Sequence, residues 1–454
     1  MRSRLACAVA LAATTAAGSS PTAAGAPSGG PWTAPASIFV SKPGTDLSLP
    51  AIATSAAGRA LVIWRYELAS GHAGQRAASW RGHGSLGRSH DLRTPIDTPL
   101  MYRDRAVALE RPNGPARRVR VVLGSADGDF GSERTIYESP PDWVRAVSSP
   151  VANARGDIAV VHRILRRDRT SRIVLLERSA RARFRRAQPI RDIPECRCYS
   201  ESLAVAVALG ARGEVVVGWE EAGSIFVRTR PAGGQLGPAV RVGRAVETRS
   251  LQVAVSPRGA VWVAWFDNPV DHGTGTGSMS IFLAVRAAGA RRFGTTRRLD
   301  HVSHVWYGLG AGVNLALGRR GAGLLSWSMP DARSVSRVRL ATADARGKNI
   351  SVRALSASDQ QATAGALLTS RQSGRALVVW SERYGVEQEH VRLLARLVSR
   401  AGTLGPVESV STSEQAGDYA VAFDTAHRRA LVVWVQHPPQ PRSRTLLHAA
   451  TRAL

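Results

Sequence analysis

The chain has 454 residues, of which 44% are hydrophobic and 21% charged, a balance typical of globular proteins. That balance excludes a wholly disordered chain and a membrane protein with many spans. The 61 Lys and Arg residues outnumber 34 Asp and Glu residues, so the formal net charge is +27. All but two of the basic residues are Arg, which either a GC-rich coding bias or a polyanion-binding role would produce.

The N-terminal residues have the pattern of a secretory signal peptide. Arg2 and Arg4 precede a 13-residue apolar run, and small residues follow it. This run is too short to span a bilayer, and no later apolar run approaches the ~18 residues required. We therefore expect residues 1–26 to be a signal peptide, 27–31 a flexible leader and 32–454 a secreted domain, which could associate with the cell envelope.

One phrase of sequence recurs along the rest of the chain. It comprises an apolar strand, a short turn ending in Gly, a second apolar strand, and a Trp six residues after the Gly. Two variants keep this spacing, Gly156 to His162 and Arg428 to Trp434. Seven occurrences at one fixed spacing indicate an internal repeat. The five full matches are Gly58 to Trp64, Gly213 to Trp219, Gly259 to Trp265, Gly321 to Trp327 and Gly374 to Trp380.

Each repeat continues with a third β-rich run, a Gly-rich turn and a short fourth strand. Four strands in about 50 residues match one blade of a β-propeller. The gap between Trp64 and His162 holds one degenerate unit, around residues 106–131, which brings the count to eight. We therefore expect an all-β, eight-bladed propeller, with seven blades or two stacked β-sandwich domains as alternatives.

The two ends of the repeat region complement each other. The last unit stops after its third strand, and residues 32–41 resemble the missing fourth strand. Pairing of these segments would close the ring and leave no open sheet edge. The repeat Trp residues would then wedge between blades as core residues rather than form a sugar-stacking row. They are Trp64, Trp219, Trp265, Trp327, Trp380 and Trp434.

In this repeat pattern, residues 32–454 resemble secreted bacterial β-propellers of the sialidase-like and uncharacterised groups. The sialidase Asp-box reads Ser-x-Asp-x-Gly-x-Thr-Trp. The nearest string here, from Ser125 to Phe130, has its Gly one place early and lacks the Thr-Trp. The resemblance therefore implies the fold, and it leaves open a binding propeller or a glycoside hydrolase.

Acidic residues stand two positions after the repeat Trp in three units, at Glu221, Asp267 and Glu382. In a propeller, the loops after the second and fourth strands gather on one face, where ligands usually bind. Carboxylates on that face could bind a cation or act as an acid and base pair. The alternative is that each one caps nearby backbone N–H groups.

The segments richest in polar and aromatic residues, 266–278 and 300–308, flank the fifth and sixth units. We expect them to be long loops that form a mixed aromatic and polar recognition patch, with an idle surface or a divalent metal site as alternatives. We expect no resident metal or cofactor. The candidate residues of this patch are Asp271, His272, His301, His304, Trp306 and Tyr307.

A basic segment spans residues 163–192 and contains 11 Arg. Strand alternation would set several guanidinium groups on one side of the third blade, where they could bind acidic envelope polymers. Without interleaved aromatic residues, specific nucleic-acid binding is not expected. A solvated surface is the alternative. The candidates are Arg166, Arg167, Arg181, Arg183, Arg185 and Arg186.

Cys196 and Cys198 form a C-x-C pair. In an oxidising compartment they could close a small disulfide ring, with free thiols or metal and redox chemistry as alternatives. The sequence as a whole predicts a monomeric, extracellular, non-enzymatic binding or scaffold propeller. Its ligand would be an envelope polymer, a glycan or a protein at the loop-rich face, and a sialidase-like glycoside hydrolase is the alternative.

Overall fold

The structure is a computed structural model. It describes residues 32–454 except 94, 97–98, 103–104, 110–117, 126, 139–142, 167, 181, 195–203, 270–275, 307–311, 319, 332, 358–359, 371–372, 385–389, 412–414 and 438–443. Within its strands, the side chains of 102, 132–133, 143–149, 276 and 304–306 are not described.

The described residues form 32 strands and no helix, and the strands make eight four-stranded antiparallel sheets. Each sheet is one blade of a β-propeller, which confirms the predicted fold class and blade number. The described part of the chain thus contains no helix that could cross a membrane.

Blades 1 to 4 follow one another along the chain, and each is built from four consecutive strands. Blade 1 contains β2 (Thr45–Thr54), β3 (Ala60–Leu68), β4 (Ala73–Trp80) and β5 (His90–Asp91). Blade 2 contains β6 (Leu100–Tyr102), β7 (Arg105–Leu109), β8 (Arg118–Ser125) and β9 (Phe130–Glu138). Blade 3 contains β10 (Trp143–Ala152), β11 (Ile158–Arg166), β12 (Ser171–Arg178) and β13 (Gln188–Ile193). Blade 4 contains β14 (Val205–Leu209), β15 (Val215–Glu221), β16 (Ser224–Arg230) and β17 (Val240–Arg244).

Blades 5 to 8 continue this order, except that blade 8 takes its outer strand from the N-terminal segment. Blade 5 contains β18 (Thr248–Val255), β19 (Val261–Asp267), β20 (Thr276–Arg286) and β21 (Arg297–Trp306). Blade 6 contains β22 (Asn314–Leu317), β23 (Gly323–Pro330), β24 (Ser336–Ala343) and β25 (Ser351–Ala354). Blade 7 contains β26 (Gln361–Thr369), β27 (Ala376–Tyr384), β28 (His390–Val398) and β29 (Leu404–Ser409). Blade 8 contains β30 (Ala416–Asp424), β31 (Arg429–Gln436), β32 (Leu446–Ala453) and β1 (Ala36–Val40).

The ring closes through blade 8, as the sequence predicts. Strand β1 pairs antiparallel with β32, and Ala36 lies opposite Ala449. Beyond the strand, the Thr33 backbone N–H donates to the Thr451 carbonyl at 2.8 Å. The outer edge of β32 is therefore covered, which removes an open edge that could pair with another chain.

The repeat Trp residues fill the seams between blades. All six are at most 1% exposed, which confirms the predicted core role. Each indole packs against the preceding blade: Trp219 shares a cluster with Val161 and Leu175 of blade 3, for example. The second strands are buried on both faces, so they read as continuous apolar runs instead of alternating ones.

Tight turns join the first and second strands of most blades. In blade 4 the Gly213 N–H donates to the Gly210 carbonyl at 3.1 Å, and Gly213 has φ +96°. Blade 5 repeats this turn at Gly259, with φ +87°. Glycine closes these turns because an L side chain is strained at positive φ.

The connections define two opposite faces of the propeller. Those after the first and third strands form what we call the turn face. Those after the second and fourth strands form the loop face. The candidate residues that the structure describes can be placed relative to these two faces.

Candidate binding surfaces

Glu221 lies at the loop-face end of β15 and is 8% exposed. Its carboxylate accepts hydrogen bonds from Trp219 Nε1 at 2.9 Å and from Arg191 Nη2 at 2.6 Å. Arg191 belongs to β13 of blade 3, so this ion pair crosses the seam between blades 3 and 4. The charge of Glu221 therefore holds neighbouring blades together.

Asp267 and Glu382 also have partners within the protein. Asp267 accepts backbone hydrogen bonds from Glu247 at 2.7 Å and Val246 at 3.1 Å, which is the capping role that the sequence left open. Burial nevertheless raises the pKa of Asp267. Glu382 is 1% exposed and pairs with Arg392 at 2.7 Å. Ligand binding by these three carboxylates stays a prediction.

The segment from Asp300 to Trp306 was expected to be a loop, and that expectation is wrong. It forms most of β21, where the backbone of His301 lies opposite Ser280 and the backbone of Trp306 opposite Thr276. A long hairpin with β20 satisfies these backbone groups, which a loop would leave to solvent. The role of His301 and its neighbours as a recognition patch stays a prediction.

Only part of that predicted patch can be placed. His301 is exposed, and its Nδ1 lies 2.9 Å from Ser280 Oγ. His304 and Trp306 are described as backbone of β21 only. No group of three or more His, Cys, Asp or Glu residues suited to a metal occurs among the described residues. Asp271, His272 and Tyr307 lie outside them, as do Cys196, Cys198 and residues 1–26.

The basic segment of blade 3 is divided between the two faces. Arg166 ends β11 at the loop face, whereas Arg183, Arg185 and Arg186 lie beyond β12, in its connection to β13 on the turn face. Because β12 has eight residues at ~3.3 Å each, the two groups lie roughly 25 Å apart. The expectation that strand alternation gathers them is therefore wrong for these residues. Arg167 and Arg181 lie outside the described residues.

Other arginines of the same segment are neutralised or buried. Arg163 is fully buried and donates to the Glu220 carbonyl at 2.9 Å, and burial lowers its pKa. Arg172 pairs with Asp192 at 2.5 Å. The excess of arginine in the sequence therefore overstates the charge that this segment presents to solvent.

The turn face carries a set of arginines that the sequence prediction missed. In four successive blades, 3 to 6, an exposed Arg immediately precedes the turn Gly. In blades 1 and 7 an Arg directly follows the turn Gly, and in blade 8 Arg428 takes the place of that Gly. Further exposed arginines follow the third strands, such as Arg292 and Arg400. The arginines of the first-to-second-strand turns are Arg59, Arg155, Arg212, Arg258, Arg320, Arg375 and Arg428.

Several acids of the turn face are directed inward. Asp424 is fully buried and accepts from Arg429 Nε at 2.9 Å and His427 Nδ1 at 2.7 Å. Glu214 accepts from Arg212 Nε at 2.8 Å. Two other turn arginines also meet acids, Arg59 at Asp127 and Arg155 at Asp157. Arg258 and Arg320 have no carboxylate partner within the described part of the chain, so they present uncompensated positive charge on this face. The repeated Arg-Gly pair within the repeat phrase was the signal that could have revealed it.

Comparisons with known proteins assign neither a family nor an activity to this chain. No family model matches the chain, and no curated protein matches it in sequence. Among solved structures it is similar to polysaccharide lyase Uly1 (9% identity, 79% of this chain and 89% of that one, TM-score 0.42). It is also similar to the BP39L lectin from Burkholderia pseudomallei (13%, 77% and 92%, 0.43) and to the Hadza microbial sialidase Hz136 (12%, 62% and 63%, 0.36). At these low values no activity is assigned.

Proposed function

We propose that this chain is an extracellular, non-enzymatic binding propeller and that its turn face binds acidic polymers. The observation that carries the proposal is the recurrence of exposed arginines at equivalent turn positions in successive blades. The loop-face carboxylates of Glu221, Asp267 and Glu382 are engaged in internal ion pairs and hydrogen bonds, which supports binding over catalysis.

The magnitude of exposed ion pairs favours a polymeric ligand. One exposed guanidinium–carboxylate contact contributes only about 0.2–1 kcal/mol. A small anion that meets one such arginine would therefore bind weakly. A polymer that meets several arginines on successive blades would sum these contributions, and its binding would fall steeply with salt.

The test compares three triple reversals that change the net charge equally. The first is Arg183, Arg185 and Arg186 to Glu, all in blade 3. The second is distributed over the turn face, and the third lies on the loop face as the matched control. Retention on immobilised polygalacturonate is measured for each across a salt gradient. The distributed set is Arg258, Arg320 and Arg400, and the loop-face set is Arg93, Arg333 and Arg383.

The proposal predicts that both turn-face sets elute at clearly lower salt than wild type and that the loop-face set elutes close to wild type. An equal loss of retention in all three triple variants would mean that the whole surface, and not the turn face, holds the polymer. Loss confined to the loop-face set would place binding where the sequence first predicted it. A wild-type protein that is not retained at low salt would contradict the proposal outright.

A glycoside hydrolase remains the second candidate because of two loop-face carboxyl groups. Burial raises the pKa of Glu220 and of Asp267, and the charge of Asp267 raises that of Glu220 further. Carboxyl groups with raised pKa are suited to general acid catalysis. Turnover of chromogenic glycosides that Glu220→Gln abolishes would favour this candidate over the binding propeller.

A further inference from the structure

A groove of about 570 Å³ opens on the turn face between blades 4 and 5. Valines of both blades, such as Val216 and Val261, form its apolar lining, and its charged lining residues are three arginines and Glu214. Its volume lies within the range of about 300–1,000 Å³ typical of small-molecule sites. The arginines are Arg212, Arg230 and Arg286.

Two of the three guanidinium groups are neutralised within the protein. Arg230 forms a largely buried ion pair with Glu177 of blade 3. Arg212 pairs with Glu214 at 2.8 Å. Each of these arginines therefore lines the groove as a hydrogen-bond donor whose charge is already balanced.

Arg286 is different. It ends β20, it is half-buried, and its Nη1 donates to Thr229 Oγ1 at 3.2 Å. Its guanidinium lies over the Phe293 ring at 5.7 Å. Among the described residues it has no carboxylate partner, and burial alone lowers its pKa. A partly desolvated cation without a counter-ion is stabilised by an anionic ligand.

We propose that this groove binds one acidic sugar unit of a polysaccharide, with its carboxylate on Arg286. The inference rests on the proposed function and names its ligand class and one specific subsite. A planar carboxylate matches the two-pronged donor geometry of a guanidinium. The valine lining would contact the apolar face of the sugar ring, while Arg212 and Thr229 are placed as donor and acceptor for its hydroxyl groups.

The strand topology favours a saccharide over an acidic peptide. Val255, the last residue of the edge strand β18, contributes to the lining. The other lining strands, β15, β16, β19 and β20, are each hydrogen-bonded on both sides within their blades. Extended peptides usually bind by adding a strand to a free sheet edge, and these strands offer none. The described lining also contains no aromatic ring on which a nucleobase could stack.

A second groove extends the site toward blade 3. It has a volume of about 280 Å³, and it shares Arg212 and Arg230 with the first. Its blade 3 lining includes Arg155, which pairs with Asp157 at 3.5 Å, and Glu177, the partner of Arg230. Arg185, one of the candidates predicted from the sequence, also lines it. A chain of sugar units could therefore run from Arg286 across blade 4 to blade 3.

The test titrates tri-galacturonic acid into the full domain by isothermal titration calorimetry. Arg286→Gln should weaken binding by about tenfold or more, because a charge-assisted hydrogen bond is lost. Arg292→Gln is the matched control, because it removes the same charge from an exposed residue of the connection after β20, outside the groove. This variant should bind within about twofold of wild type. Ala290→Glu, which adds a negative charge to the groove lining without altering Arg286, should also abolish binding.

The outcomes separate this inference from the proposed function. Equal affinities of Arg286→Gln and Arg292→Gln, while retention on polygalacturonate persists, would overturn the subsite and leave the proposed function standing. Failure of the wild-type domain to be retained on the polymer would overturn both. Equally tight, Arg286-dependent binding of tri-glutamate would overturn the saccharide assignment, and the same result with a glycerol phosphate oligomer would overturn the preference for carboxylate.

Discussion

The seam between blades 2 and 3 and the six Trp-filled seams occupy equivalent places in the ring, but different side chains fill them. In the six seams an indole is buried within the second strand. At the corresponding position in blade 3 stands His162, which is 1% exposed and makes an edge contact with Tyr137 of blade 2. The repeat spacing is therefore kept while the chemistry of the seam changes.

The comparison of these seams separates the role of the repeat spacing from the role of the side chain that fills the seam. The Gly and the six-residue spacing fix the turn and the position of the side chain between blades. The side chain itself decides how the seam responds to its surroundings. An indole is neutral at every pH, whereas burial lowers the pKa of His162 to about 4. Of these seven seams, the one between blades 2 and 3 is therefore the one whose central ring should respond to acid.

The largest expected effect is the loss of an indole from a Trp-filled seam. Trp380→Ala should lower the free energy of unfolding by about 3–5 kcal/mol, because a fully buried ring leaves a cavity. Urea denaturation measures the change, and Val407→Ala, at a residue 47% exposed, serves as control. A loss as small as that of the control would show that the indole does not hold the seam.

The next effect is acid sensitivity at His162. The pKa of His162 is about 4 in the folded protein and near 6.5 in the unfolded chain. The contribution of the neutral ring to the free energy of unfolding is therefore complete above pH 6.5 and is lost as the pH falls toward 4. The loss should approach about 3 kcal/mol at pH 4. His162→Phe should show a smaller drop in unfolding free energy between pH 7 and pH 4.5 than wild type. The same drop in both proteins would assign the acid response to other groups.

Replacing the turn Gly should cause a smaller loss of stability, and this loss should be equal in blades 3 and 4. Gly156 of blade 3 and Gly213 of blade 4 close the same turn, with φ values of +88° and +96°. Replacing either by Ala should cost about 1–2 kcal/mol, since the strain is in the backbone. Thermal unfolding of the two variants compares them directly. Markedly unequal losses would mean that blade 3 departs from the repeat in its turn as well as in its seam.

The smallest effect lies at the outer edge of the blades. Arg76 pairs with Asp91 in blade 1, and Arg172 with Asp192 in blade 3, each between the third and fourth strands. The hydrogen bond to Arg76 lowers the pKa of Asp91. Both pairs are solvent-exposed, so Asp91→Asn and Asp192→Asn should each cost under about 1 kcal/mol. A large loss in blade 3 alone would show that the altered seam weakens the whole blade.

The fold could be predicted because its signals are local and repeated. The Gly-to-Trp spacing locates each inner hairpin, and the unpaired third strand at the end of the last repeat identifies residues 32–41 as its partner. The longer hairpin of β20 and β21 was missed because nothing in the composition of residues 300–306 distinguishes a polar strand from a loop.

The binding surface could be predicted only in part, because the free charge depends on contacts between blades. The sequence cannot show that Glu221 meets Arg191 of the preceding blade, or that Arg163 is fully buried. It also cannot show that Glu177 neutralises Arg230 while Arg286 is left without a carboxylate partner in the described part of the protein. The recurring Arg before the turn Gly was visible, but its meaning requires knowing that these turns share one face.

Hydrogen–deuterium exchange with and without polygalacturonate reports on both faces of the same molecule, so it shows directly which face binds the polymer. If the turn face binds the polymer, exchange should slow on that face, at residues 210–214, 256–260 and 286–292, and should not change along the loop-face ends of β19 and β21. Protection confined to the loop-face segments around Asp267 and His301 would contradict binding at the turn face.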